Sequence, residues 1–300
     1  MQANYKKQVS LLLQILPEVA EEKCFALHGG TAINLFVRNM PRLSVDIDLT
    51  YLPIQDRKKS VAEISAALQR IKSHIEGVIP NVHILHRAEN AKLLVSSKGA
   101  EVKLEVNLTN RGGLAEPREM ELCQRAQDEF EAFCVMPVVS QGQLYGGKIV
   151  AALDRQHPRD LFDVRDLLAE EGITQEIKEG FIHYLICSNR AIGDVISPNL
   201  QDQRGTMNNQ FSGMTNVIFE YSDFEQVREQ LIRALHDSLT TRDKEFILSV
   251  KNVTPDWSIY DFEKYPGIKW KLNNLEKLKK ENPQKHKAAY EALLQKINHQ

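Results

Sequence analysis

The chain has 300 residues, 42% of them apolar and 26% charged, the balance of a water-soluble globular protein with one large or two ordinary domains. Basic and acidic side chains number 38 and 40, a net charge of −2, so no overall basic bias announces a nucleic-acid partner, although a local patch stays compatible with that balance. No run of 18 apolar residues exists, which argues against a membrane span, and Cys24, Cys123, Cys134 and Cys187 match no zinc spacing and read as free thiols of a reducing cytoplasm.

Residues 5–22 read as an amphipathic helix: Leu11, Leu12, Leu13, Ile15, Leu16 and Val19 recur at helical spacing, while Gln14, Pro17 and Glu18 interrupt any signal-peptide core. A strand over 24–27, a helix over 30–38 and a strand over 45–51 follow. Residues 56–75 form a long amphipathic helix through Val61, Ile64, Ala67, Leu68 and Ile71. Alternation predicts strands near 82–86, 92–96 and 101–108, then a breaker at Asn110-Arg111-Gly112-Gly113 and one more strand over 133–139. From about Ser140 the pattern becomes helical: 140–153, 158–169, 174–188, 222–238, 241–250 and two stretches within 268–297. Residues 198–215 read as a long polar loop.

The chemistry concentrates in residues 25–50. In Arg42-Leu43-Ser44-Val45-Asp46-Ile47-Asp48-Leu49 the apolar Val45, Ile47 and Leu49 face one way and Ser44, Asp46 and Asp48 the other. Two carboxylates two apart on a strand lie roughly 6–7 Å apart on one face. Like charges at that separation repel unless a cation stands between them, and hard divalent cations take oxygen ligands of this kind. Gly29-Gly30, just before a helix, allows backbone amides to approach an anion. The same short segment thus offers a metal site at Asp46 and Asp48 and a phosphate site at Gly29 and Gly30.

A second segment, Tyr145-Gly146-Gly147-Lys148, runs into Ala151, Ala152 and Arg155, then Arg159-Asp160-Leu161-Phe162-Asp163. Lys148 and Arg155 share a helix face, and Asp160 and Asp163 share the next one, so ion pairs between packed helices account for much of it. A lysine after Gly-Gly near a helix start opposes the helix dipole, and a bound anion would remove that conflict.

Gly-Gly, a helix and then R-x-S-x-D-x-D resembles the active-site pattern of the nucleotidyltransferase superfamily. The form HGGTAINLF…RLSVDIDL is similar to the AbiEii/AbiGii toxin family, nucleotidyltransferase-like toxins of bacterial toxin–antitoxin and abortive-infection loci. The resemblance covers about residues 25–168. It implies an α+β protein: a nucleotidyltransferase-fold mixed sheet with flanking helices over 1–139, and an all-α C-terminal domain over 140–300 that contributes Lys and Asp to the site. It implies that Glu105, in the alternating strand KLEVNL, joins Asp46 and Asp48 at Mg²⁺ or Mn²⁺, with Glu101 as the substitute. It makes Lys148 a triphosphate ligand and Asp163, or else Asp160, the acidic residue that holds it. The superfamily often has Gly-Ser where this chain has Gly29-Gly30-Thr31, so a phosphate-binding hydroxyl would come from Thr31 or Ser44, and Thr31 equally suits a helix cap.

The implied reaction is two-metal transfer of NMP from an NTP, with release of pyrophosphate. The implied acceptor is RNA, the tRNA 3′ end first, or a protein side chain, and the implied partner is an AbiEi-like antitoxin that need not bind directly. Lys269, Lys271, Lys277, Lys279, Lys280, Lys285 and Lys287, with Trp270, either receive an RNA backbone or form a solvated helix face. The rival reading is a catalytically degenerate module that binds nucleotide without chemistry. A kinase fits worse, since neither a kinase Gly-rich loop nor a Walker lysine motif is present.

Overall fold

The computed structural model describes residues 3–298. The chain divides into two compact units. The first runs to Ser140 and takes in Phe211–Ile218; the second comprises Gln141–Gln210 and the chain from Phe219 onward.

The first unit is a seven-stranded mixed sheet with helices. In chain order come α1 (Ala3–Ala20), β1 (Phe25–His28), α2 (Gly29–Ala32) continued by a π-helical turn over Ile33–Val37, β2 (Asp46–Tyr51), α3 (Arg57–Val78), β3 (His83–Arg87), β4 (Lys92–Ser97), β5 (Ala100–Val106), β6 (Arg118–Glu121), α4 (Gln124–Phe130) and β7 (Val135–Val138). The strand order is β3-β4-β5-β2-β1-β7-β6. β2 runs parallel to β5 and β1 parallel to β7; the other neighbours are antiparallel. Alternation decides which face is buried. Ile47 and Leu49 on β2, Val102 and Leu104 on β5, and Leu93 and Val95 on β4 are buried on the side where α1 and α3 pack. The opposite face of β2, β4 and β5 keeps the charged residues half-exposed.

β6 and α4 were not predicted. The sequence of β6, Arg-Glu-Met-Glu, has no apolar alternation, because it is an edge strand paired only with β7. The polar stretch 198–215 is not one loop either. It holds α9 (Arg204–Thr206) and a π-helical turn over Met207–Phe211. Its end joins the sheet unit: Met214 accepts a hydrogen bond from the Leu43 amide at 2.8 Å, and the Thr215 hydroxyl donates to the Pro41 carbonyl at 2.8 Å.

The second unit is helical: α5 (Gln141–Arg155), α6 (Pro158–Glu170), α7 (Gln175–Cys187), α8 (Ile192–Ile196), α9, α10 (Tyr221–Ser238), α11 (Thr241–Lys251), α12 (Pro266–Glu281) and α13 (Pro283–Asn298). The sequence predicted all of these except α8 and α9, which are a turn or so each. α5 and α7 approach until their backbones touch: a Cβ on Gly146 would collide with the main chain of Gly180, and one on Gly180 with the main chain of Gly142. His183 lies in a nest of aromatic rings from Tyr184, Phe262 and Tyr265. Among the described residues no helix is long and apolar enough to cross a membrane, and the four cysteines are free thiols.

Candidate active site

β2 begins at Asp46, so Asp46 and Asp48 project together from the face of the sheet opposite α1 and α3. The flanking strands complete two rows. Asp48 stands in register with His28 on β1 and Glu105 on β5, and Glu105 with Lys92 on β4. Asp46 stands in register with Lys103, which sits opposite Leu94. The strand register therefore brings Asp46, Asp48 and Glu105 to neighbouring positions on one face.

The patch carries its own cations. Glu105 Oε1 is 3.0 Å from Lys92 Nζ and its Oε2 is 3.2 Å from Lys103 Nζ. Burial disfavours both the Glu105 carboxylate and the Lys103 ammonium. Lys92 and Lys103 outweigh it at Glu105 and hold that carboxyl below its usual range. At Lys103 the fields of Asp46 and Asp48, with the Glu105 contact, outweigh it and raise the pKa. Lys92 was missed in the sequence. Its signal was the tight β4–β5 hairpin, whose register sets Lys92 against Glu105.

Gly29 and Gly30 are required by what stands beside them. Gly29 has φ +71°, and a Cβ there would lie 2.5 Å from an Asp48 carboxylate oxygen. A Cβ on Gly30 would lie 2.8 Å from the Arg42 guanidinium and 3.0 Å from Ser44 Oγ. Thr31 and Ser44 are buried, with their hydroxyls 3.0 Å apart, and Thr31 also donates to the Asp46 carbonyl. This pair fastens the start of α2 to the start of β2. Arg42, buried as well, donates to the Leu43 carbonyl at 2.9 Å.

In the helical unit Lys148 is not at a helix start. It is deep in α5, and Gly146 before it serves the contact with α7 rather than an anion. The conflict with the helix dipole therefore does not arise. Lys148 is buried between two buried carboxylates, Asp160 Oδ1 at 2.9 Å and Asp163 Oδ2 at 3.0 Å, so the two residues read as alternatives from the sequence both contact it. Arg155 donates twice to Asp160, at 2.5 and 2.9 Å. Burial alone would raise the Asp160 pKa; Lys148 and Arg155 beside it reverse the sign and hold it far below the carboxylate range.

The lysine-rich C-terminal stretch is exposed on α12 and α13 at Lys269, Lys277, Lys279, Lys280, Lys285 and Lys287, beside a part-exposed Trp270. Lys271 is different. It turns inward and donates to the Ser188 and Arg190 carbonyls at 2.6 and 2.8 Å, so it is no part of a basic surface.

Among the described residues no three His, Cys, Asp or Glu side chains converge as a ready metal cage. The patch nevertheless suits a hard cation. Its donors are carboxylate oxygens, and the Lys103 ammonium already lies in the field of Asp46 and Asp48 against Glu105.

Residues 10–274 match the family described as nucleotidyl transferase AbiEii toxin, type IV TA system. Curated proteins give no match. Among solved structures, the chain is similar in fold to MenT4, a nucleotidyltransferase toxin from Mycobacterium tuberculosis H37Rv. The identity is 13% and the TM-score 0.61, over 91% of this chain and 95% of that one.

Proposed function

This chain belongs to the AbiEii family of nucleotidyl transferase toxins of type IV toxin–antitoxin systems, and from that premise we propose that it transfers NMP from an NTP to an RNA in the cytoplasm, the tRNA 3′ end first. The observation that carries the reading is the pair Asp46 and Asp48 at the head of β2, with Glu105 in register beside them and the left-handed Gly29 turn against Asp48.

Asp46, Asp48 and Glu105 would hold Mg²⁺ or Mn²⁺. Such an ion, when bound, supplies Lewis-acid neutralisation of the phosphates and lowers the pKa of an attacking hydroxyl. Gly29 and Gly30, with the Thr31–Ser44 hydroxyl pair, form the corner that we assign to the nucleotide phosphates. That corner would present the α-phosphorus for in-line attack by the acceptor hydroxyl, with pyrophosphate leaving, and Glu105 accepts the proton of that hydroxyl. To do so Glu105 gives up one of its two lysines. The exposed lysines of α12 and α13 suit an RNA backbone, whose binding would then weaken steeply with salt. A cognate antitoxin is the expected genetic partner, with no direct contact required.

One observation favours the rival reading, a module that binds nucleotide without chemistry: Glu105 is already neutralised by Lys92 and Lys103. One experiment separates the two. The protein is incubated with Mg²⁺, each α-³²P-labelled NTP in turn, total bacterial RNA and protein extract, beside the double variant Asp46→Asn/Asp48→Asn. Label on a tRNA-sized band, reduced at least about a thousandfold in the variant, is the expected result. Label on a protein band moves the acceptor to a side chain. Nucleotide binding with no label and no pyrophosphate sinks the enzyme reading.

A further inference from the structure

Four lysines are buried among the described residues: Lys148, Lys178, Lys251 and Lys271. Three of them have acceptors. Lys148 has Asp160 and Asp163, Lys178 has Asp243 at 2.9 Å, and Lys271 has the Ser188 and Arg190 carbonyls. Lys251, at the end of α11, is 8% exposed, and no described residue pairs with its ammonium. Burial lowers its pKa, and no carboxylate opposes that shift.

The helix end does not serve it. The carbonyls of Leu248, Ser249 and Val250 take the amides of Asn252, Thr254 and Val253, and the Lys251 carbonyl takes His286 Nε2 at 3.0 Å. The side chain is buried, but its Nζ still reaches accessible space, so water or a bound anion is what can satisfy the ammonium there.

Lys251 lines a cavity of about 230 Å³ between α8, α11 and α13. The walls are mostly apolar, formed by Ile192, Ala289, Ala292 and Leu293. The other charges there already answer each other: Lys296 Nζ is 3.0 Å from Asp194 Oδ1 and also donates to the Gly193 carbonyl. Among the described residues, a positive charge without a protein acceptor thus faces a largely apolar pocket roomy enough for a small ligand.

We infer that this cavity is a binding site for a small monoanionic carboxylate with a short branched apolar body. The carboxylate takes the Lys251 ammonium as a charge-assisted hydrogen-bond donor, and the alkyl group lies against Ala289, Ala292 and Leu293. A dianion such as phosphate fits worse. It would meet the Lys251 ammonium with the Asp194 carboxylate in the same lining, which opposes a second negative charge. The site is independent of the proposed nucleotidyl transfer and would stand if that reaction failed.

The test uses the full chain and three probes at matched ionic strength: sodium isobutyrate, its neutral isostere isobutyramide, and inorganic phosphate. Binding is read by calorimetry and by the thermal midpoint. Isobutyrate should bind saturably with one site and raise the midpoint, while isobutyramide binds at least tenfold more weakly. Lys251→Met should remove isobutyrate binding and leave the unliganded midpoint equal or higher, because a buried charge is gone. Ala289→Leu keeps the lysine and fills the chamber, and should also remove binding. Equal binding of the amide, tighter binding of phosphate, unchanged binding in Lys251→Met, or no binding of isobutyrate to the wild-type chain would each overturn the proposal.

Discussion

Two groups of charges in this protein use the same side chains and behave as opposites. On the sheet, Asp46, Asp48, Glu105, Lys92 and Lys103 lie half-exposed in adjacent registers, and each lysine is shared or exchangeable. In the helical unit, Lys148, Asp160 and Asp163 are buried, with one geometry and short contacts on every side. Solvent makes the difference. At a wetted surface an ion pair is worth little, so partners can be traded for a metal or a phosphate at small cost. In an interior the pair is worth little net, but removing one member strands the other. The first arrangement suits a place where cations come and go. The second suits a fixed post that keeps one cation in one position.

The largest effect should come from breaking the fixed post. Lys148→Met leaves Asp160 and Asp163 buried without the cation between them and should cost about 3–5 kcal/mol of stability in urea unfolding of the full chain. Adding Asp160→Asn and Asp163→Asn should recover part of that loss. A single variant within about 0.5 kcal/mol of wild type would show that Lys148 is no structural centre. The next effect is a dependence on pH. His183 lies among Tyr184, Phe262 and Tyr265, and burial lowers its pKa to about 3. The unfolded chain binds that proton near pH 6.5, so between those values the unfolded state holds more protons and stability falls as pH falls. The limiting slope is about 1.4 kcal/mol per pH unit. Asp160 has the opposite timing. Its depressed pKa gives stability that is complete above about pH 4 and is lost only in stronger acid. Between pH 4.5 and 7 the thermal midpoint should therefore track the histidine, and His183→Leu should flatten the curve. An unchanged slope in that variant would place the titration elsewhere, for example at His86 or His157, whose pKa values burial also lowers.

The open patch was more legible in the sequence than the buried post. Asp46 and Asp48 declare themselves through period-two alternation, which is local, and the strand they sit on is the strand found. Glu105 was singled out on the alternating strand, yet its register with Asp48 and its lysines come from pairing across β2, β4 and β5, which alternation alone does not give. Lys148 was singled out, but as a residue at a helix start. The reason for Gly146 lies in the backbone of Gly180, 34 positions away, and nothing near Gly146 reports it. Lys271 looked like one more lysine in a basic run; only the fold turns it toward Ser188 and Arg190. Met214 and Thr215 bond to Leu43 and Pro41 across more than 170 residues, so a segment that reads as polar loop belongs to the sheet unit. Short-range patterns are visible in a single sequence because one element carries them. Pairings between elements distant in the chain are not.

The smallest stability effect should come from the open patch, and there the sign of a second measurement matters more than its size. Lys103→Met removes the ammonium that faces Asp46, Asp48 and Glu105. Since Lys103 is half-exposed, the loss of stability should stay below about 1 kcal/mol at low salt and shrink as salt screens the carboxylates. The three carboxylates then keep Lys92 as their neighbour, and the patch becomes more negative. Its affinity for Mn²⁺, read from the free-ion signal in electron paramagnetic resonance, should therefore rise several-fold, while Asp46→Asn/Asp48→Asn should lose it. If Lys103→Met binds Mn²⁺ more weakly than wild type, the lysine orients the carboxylates for the metal instead of competing with it. If neither variant changes Mn²⁺ binding, the patch is not a metal site, and the contrast between the exchangeable and the fixed charges would lose its functional meaning.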